Sequence, residues 1–251
     1  MPQNLANSTL YGKGVFTTIA INDGEAFLWE KHWQRLKDNA SRIDLNLGEY
    51  SEDFTKNYLT EALSKNKITN GRARITCFDE TESAIWSDET KQKTSLSIIT
   101  GALRPIANNF RLTISPYPLD SRSPLAGIKS CNYLEKIIAL GEAKSRAFHE
   151  AVQLNERGEI TSATMANIFW LQDNTLYTPS LKTGCLPGTT REFILENLNC
   201  RETEATLDKL HNAQAIYLTS ATLGIIPVTE FESRKLTTID HPILDLLPKK
   251  L

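Results

Sequence analysis

Between Arg72 and Phe78 the chain alternates: Ala73, Ile75 and Cys77 fall on one side, Arg72, Arg74 and Thr76 on the other. A period of two predicts a half-buried strand. Elsewhere the period lengthens. Trp33, Leu36, Ala40 and Ile43 recur at three-to-four spacing, which predicts an amphipathic helix behind a short apolar strand, Ala26 to Trp29. Ser51 reads as an N-cap, with Glu52 and Asp53 in the first turn and Phe54, Tyr58 and Ala62 along one face. A third helix follows Lys129 and uses Leu134, Ile137, Ile138 and Ala143; a fourth runs from Gly188 to about Leu198. Further strands are predicted at 95–100, 110–115, 151–154, 167–171 and 213–218. An Asn-Glu-Arg-Gly turn and Gln172-Asp173-Asn174 act as reversals.

Strands and helices mix without steady alternation, so the fold class is α+β, or mixed α/β. Gly101 to Asn109 carries Gly, Pro and paired Asn and reads as a linker. It predicts a small N-terminal α/β domain over 1–103 and a larger C-terminal domain over 109–251 that carries Lys129. With 251 residues there is ample material for a core. Lys+Arg 28 against Asp+Glu 30 leaves a net charge of -2, so no basic footprint predicts a nucleic-acid or membrane partner. Cys77, Cys131, Cys185 and Cys200 lack metal spacing, and the four histidines are scattered, so no metal is expected. The N-terminus lacks the pattern of a secretory leader, and no apolar run has membrane-span length. These features predict a cytoplasmic protein with reduced thiols.

The candidate chemistry begins at Lys129, where an apolar stretch meets a helix start. Partial desolvation of an amine favours its nucleophilic form. Downstream, Leu186-Pro187-Gly188-Thr189-Thr190-Arg191 opens a helix and offers backbone N–H groups to an anion. An amine for an aldehyde and a helix start for a phosphate together suggest pyridoxal phosphate. Each alone has a plainer reading, a surface lysine and a turn.

Several segments, taken in order, agree on one family. They are Gly12-Lys13-Gly14-Val15-Phe16-Thr17-Thr18, His32-Trp33-Gln34-Arg35-Leu36, Leu125-Ala126-Gly127-Ile128-Lys129 with Asn132, and Gly158-Glu159-Ile160-Thr161 with Ala166-Asn167-Ile168-Phe169. Leu186 to Arg191, Ser220-Ala221 and Ile226-Pro227-Val228 complete the series. From about Tyr11 to about Val228 the chain resembles the class IV, or fold-type IV, pyridoxal-phosphate enzymes. That family includes branched-chain and D-amino-acid aminotransferases and 4-amino-4-deoxychorismate lyase. The resemblance implies two small domains with the cofactor in the cleft between them, and a homodimer whose partner contributes to each site.

Carried over residue by residue, the resemblance makes Lys129 the lysine that bonds the cofactor aldehyde and later moves protons. Arg35 becomes a phosphate ligand, and Gly188, Thr189 and Thr190 the phosphate-binding helix start. The family often has a threonine where this chain has Ala221, so Ser220 is expected to substitute. Phe16, Thr17 and Thr18 are candidate substrate neighbours. Ser162 is the main departure: the family usually has a glutamate there, which keeps the pyridine nitrogen protonated. A serine hydroxyl hydrogen-bonds a neutral nitrogen without holding a charge on it.

The Phe-Thr-Thr form after Val15 and the segment around Lys129 lean toward the lyase, which expels pyruvate from 4-amino-4-deoxychorismate to give 4-aminobenzoate. A neutral ring favours an elimination that discharges promptly over a transamination. Against this, Ile75 to Glu80 ends acidic where the family often continues Arg-Gly into a basic loop; Arg72 and Arg74 are the nearby cations. The alternatives are an aminotransferase for D-amino acids, branched-chain amino acids or amines, and a catalytically weak cofactor-binding paralogue.

Overall fold

The computed structural model of the chain describes residues 5–83, 91–103 and 105–247. Residues 1–4 and Arg104 of the predicted linker lie outside that range. The chain divides into two compact units: one holds the residues up to Leu103 together with Ile128–Tyr133, the other those up to Gly127 and from Leu134 onward. Lys129 therefore belongs with the first unit, not with the C-terminal segment where sequence reading put it. Backbone pairing is the reason. Phe16 N donates to Lys129 O at 2.9 Å and Cys131 N donates to Gly14 O at 2.8 Å, on either side of an antiparallel Val15–Ser130 bridge.

The first unit is built from β1 (Gly14–Asn22), β2 (Glu25–Ala26), α1 (Trp29–Arg42), α2 (Glu52–Lys65), β3 (Gly71–Asp79) and β4 (Thr94–Gly101). The strands form one antiparallel sheet in the order β2-β1-β3-β4. Its alternation is the one read from the sequence: Ala73, Ile75 and Cys77 are buried and join Val15, Ile19, Trp33, Leu36, Leu59 and Leu63 in one core. Two expectations change. The strand predicted over Ala26–Trp29 stops at Ala26. Leu28 adopts a left-handed φ of 56° and caps α1, whose first residue is Trp29; four apolar residues in a row carry no period to separate the two forms. In α2, Ser51 does accept the capping bond from Phe54 N. The buried row, however, is Thr55, Leu59 and Leu63, while Phe54 and Tyr58 are exposed. Both rows have helical spacing, so spacing alone did not choose the face.

The second unit contains β5 (Arg111–Ile114), α3 (Leu134–Ser145), β6 (Glu150–Leu154), β7 (Ile160–Ala163), β8 (Asn167–Gln172), β9 (Thr175–Pro179), α4 (Thr189–Asn197), β10 (Cys200–Thr203), β11 (Ala215–Ser220), β12 (Gly224–Pro227), β13 (Glu230–Phe231) and β14 (Arg234–Lys235). Two five-stranded sheets run β10-β9-β8-β11-β12 and β14-β13-β5-β6-β7. Parallel pairs, β5–β6 and β9–β10 among them, sit beside antiparallel ones, so the class is mixed α/β as expected. Leu112, Val152, Ile160, Ile168, Trp170, Leu218 and Phe231 fill the core. On α3 the expected stripe of Leu134, Ile137, Ile138 and Ala143 holds only at Ala143. Ala139 and Ala143 are buried, whereas Leu134, Ile137 and Ile138 are 66%, 55% and 48% exposed. Small side chains let the helix lie close to its sheet, and the large ones project away. No helix among the described residues is long and apolar enough to cross a membrane.

Candidate active site

In the first unit the Lys129 amine is held between two aromatic rings. Nζ donates to Tyr133 Oη at 3.2 Å and lies 4.5 Å from the centre of the Phe16 ring. The Phe16 and Tyr133 rings meet edge to face, 5.1 Å apart. The turn between the Val15–Ser130 bridge and α3 brings Tyr133 to the lysine, and the bridge puts Lys129 and Phe16 on one face of the sheet edge.

The opposite face of β1 carries Thr17, which is buried. Its hydroxyl accepts from Arg35 Nη2 at 2.9 Å and lies 2.6 Å from His32 Nδ1. A buried imidazole beside the Arg35 and Lys129 cations is held neutral. Burial first, then the Arg35 and Lys129 charges, holds the His32 pKa well below its usual value. Thr17 thus orients a guanidinium, and it is Phe16 and the half-buried Thr18 that share the lysine's face. The one sequence signal for His32 is its helical offset of three from Arg35.

In the second unit Gly188 is the N-cap of α4 and makes no side-chain cap. A Cβ built on it would stand 1.9 Å from Asn167 Oδ1. Asn167 in turn donates from Nδ2 to Leu186 O at 2.9 Å, fixing the loop before the helix. Thr189 and Thr190 are the first two helical residues, both buried. Ser220 Oγ accepts from Leu223 N at 3.2 Å and closes the turn after β11. Thr219, opposite Asn167 on the neighbouring strand, has a buried hydroxyl with no partner among the described residues. A helix start without a side-chain cap and an orphaned hydroxyl on the Asn167 strand pair are donor chemistry suited to a phosphate. Arg191, from the same motif, is structural: its guanidinium donates to Pro179 O at 2.8 Å and pairs with Glu202.

Ser162 is buried on β7, and Gln153 stands opposite it on β6. Lys136 Nζ donates to Gln153 Oε1 at 3.1 Å, and the buried Glu150 carboxyl at the start of β6 accepts from Thr164 N and Met165 N, both at 3.0 Å. A bulge follows: Gln153 faces Ser162 but Leu154 faces Ile160, leaving Thr161 as the extra residue. Glu159, the nearest carboxylate in sequence, is engaged elsewhere. Its Oε2 accepts from Arg157 at 2.7 Å and from Asn155 at 2.8 Å, and the Arg157 contact holds its pKa below the usual range.

The amino-transferase class IV family profile matches residues 14–231. This chain belongs to that family. Class IV aminotransferases are pyridoxal-phosphate enzymes; in the first unit the Lys129 amine suits an aldehyde, and in the second the start of α4 suits a phosphate. The chain is 30% identical over 239 residues to the aminodeoxychorismate lyase of Bacillus subtilis (strain 168), covering 89% of this chain and 79% of that one. It is 26% identical to a D-alanine aminotransferase of Listeria monocytogenes serotype 4b, over 88% of this chain and 79% of the other. Among solved structures it is similar to the branched-chain aminotransferase of Thermoproteus uzoniensis with norvaline, with a TM-score of 0.88 at 24% identity, covering 96% of this chain and 85% of that one. The class IV fold is thereby fixed, and the chain is a pyridoxal-phosphate-dependent enzyme acting on small molecules.

Proposed function

We propose that the protein is an aminodeoxychorismate lyase, a cytoplasmic homodimer serving folate biosynthesis, that eliminates pyruvate from 4-amino-4-deoxychorismate to give 4-aminobenzoate. The observation that carries this reading is Ser162. It occupies a buried strand position where the family usually has a glutamate, beside a Gln153–Lys136 pair and with Glu159 tied to Arg157. Bound pyridoxal phosphate supplies an electron sink for negative charge at the carbon next to the substrate nitrogen. With a serine in place of the family's usual glutamate, that sink is weaker, and a reaction that discharges the electrons into a leaving group gains over one that stores them.

The residue roles follow from the same reading. Arg35, Gly188, Thr189, Thr190 and Ser220 hold the phosphate, and Ser162 faces the ring nitrogen. Lys129 would hold the aldehyde until the substrate amine displaces it, and the freed lysine amine would take the proton from the substrate ring carbon that bears nitrogen. The ether C–O bond breaks, the enolpyruvate oxygen leaves with the electron pair, and protonation of the enol gives pyruvate. Tyr133 positions the amine.

An aminotransferase is the second reading, supported by the D-alanine aminotransferase relative. A coupled pyruvate assay with 4-amino-4-deoxychorismate, run beside a panel of amino donors, separates the two. Pyruvate release without donor-dependent bleaching of the cofactor is expected. Fast donor turnover with no pyruvate would replace the lyase by the aminotransferase. Borohydride reduction and peptide mapping should place the cofactor adduct on Lys129.

A further inference from the structure

The face of the sheet that carries Phe16 and Thr18 also carries Arg74, which stands opposite Thr18 on β3. The Arg74 guanidinium carbon is 3.5 Å from the centre of the Phe16 ring, at stacking distance, while Lys129 Nζ is 4.5 Å from the same centre. The two cationic groups can be no more than about 8 Å apart. Arg74 Nε donates to Thr76 Oγ1 at 3.1 Å, which fixes the plane of the fork. Arg74 forms no ion pair with a carboxylate among the described residues. Its other polar neighbour, Cys131, stays a neutral thiol because burial pushes its pKa up more than Arg74 pulls it down.

A half-buried guanidinium, stacked, oriented and close to a second cation, is suited to an anion arriving from outside. We propose that Arg74 reads a carboxylate on the amine substrate, so that the enzyme selects primary amines bearing a carboxylate within reach of the Lys129 centre. The Phe16 and Tyr133 rings suit a flat carbocycle between amine and carboxylate. This inference rests on the reading of Lys129 as the reacting centre. It also supplies a cation for the lyase substrate that the acidic end of β3 does not.

The test uses holoenzyme and the variants R74Q, R74L and R74K at matched cofactor occupancy and melting temperature. R74L keeps an apolar stem against Phe16, so a loss common to R74Q and R74L reports charge, not packing. Each is titrated with 4-aminobenzoate and with aniline, and with D-alanine and L-valine beside their decarboxylated amines, following cofactor absorbance. Wild type should prefer the carboxylated aromatic amine about tenfold or more, R74Q and R74L should lose that preference, and R74K should keep part of it. An Arg74-dependent preference confined to the amino acids retains Arg74 as the carboxylate reader and removes the lyase reading. Pyruvate release from 4-amino-4-deoxychorismate by R74Q with unchanged KM retains the lyase and removes Arg74. A carboxylate preference that survives in R74Q and R74L, in either series, also overturns the proposal.

Discussion

At the scale of single residues, the Thr17 hydroxyl has the most to lose. It is the shared partner of Arg35 and His32, and Thr17→Val keeps the shape while removing both bonds. Losing two buried hydrogen bonds should cost about 1–3 kcal/mol of stability. Cofactor affinity should fall as well, since Arg35 loses its brace. Thr17→Ser should recover most of both in urea unfolding and cofactor titration. His32 adds a pH dependence whose sign is fixed. Its folded pKa lies well below the ordinary 6.5, so the unfolded chain binds the proton first. Stability is therefore unaffected above that value and declines as pH falls below it, by roughly 1.4 kcal/mol per pH unit for one proton. Comparing wild type with His32→Gln across pH 5 to 8, in the range where histidine titrates, should remove this part of the slope.

At the scale of elements, the loop before α4 is locked by a glycine and an asparagine from different strands of sequence. Gly188→Ala drives a methyl into Asn167 Oδ1, and overpacking of this kind costs about 1–3 kcal/mol. Asn167→Ala added to it should cost less than the sum of the two single changes, because the clash then has no second partner; strict additivity in thermal unfolding would show that the contact is not the cause. The same elements show what the sequence disclosed. The β3 strand was legible because its two faces meet different surroundings. The Ser51 cap was legible because its chemistry is local. The buried faces of α2 and α3 were not: in each, two apolar rows share helical spacing, and only the packing partner decides between them. The Pro-Gly-Thr-Thr loop was visible as a motif, while the need for glycine there depends on Asn167, nineteen positions from the carbonyl it grips. Thr17 and Thr18 were read together as substrate neighbours, yet a period of two sends them to opposite faces.

At the scale of the whole molecule, the exposed Leu134, Ile137 and Ile138 form an apolar ridge on α3. Such ridges mark association surfaces. Wild type should run as a dimer in light scattering, and Ile137→Lys with Ile138→Glu should shift it toward monomer while the circular dichroism spectrum stays unchanged. A dimer indifferent to both changes would move the interface elsewhere. The membership of Ile128–Tyr133 in the first unit could not be read from sequence. Six residues embedded in a longer C-terminal stretch carry no compositional break, and only pairing with β1 assigns them.

That pairing also separates where the lysine stands from what the lysine is. Main-chain bonds from Phe16 and to Gly14 bracket the position, so no atom of the side chain is needed to hold it. Lys129→Ala should therefore leave a vacancy with its aromatic walls still standing, a socket shaped for a missing ammonium. Small free amines such as methylamine should restore part of the proton transfer in the order of their size and basicity, as replaceable parts in a fixed mount. If no amine restores any turnover in a folded, cofactor-binding variant, the socket collapses without its side chain.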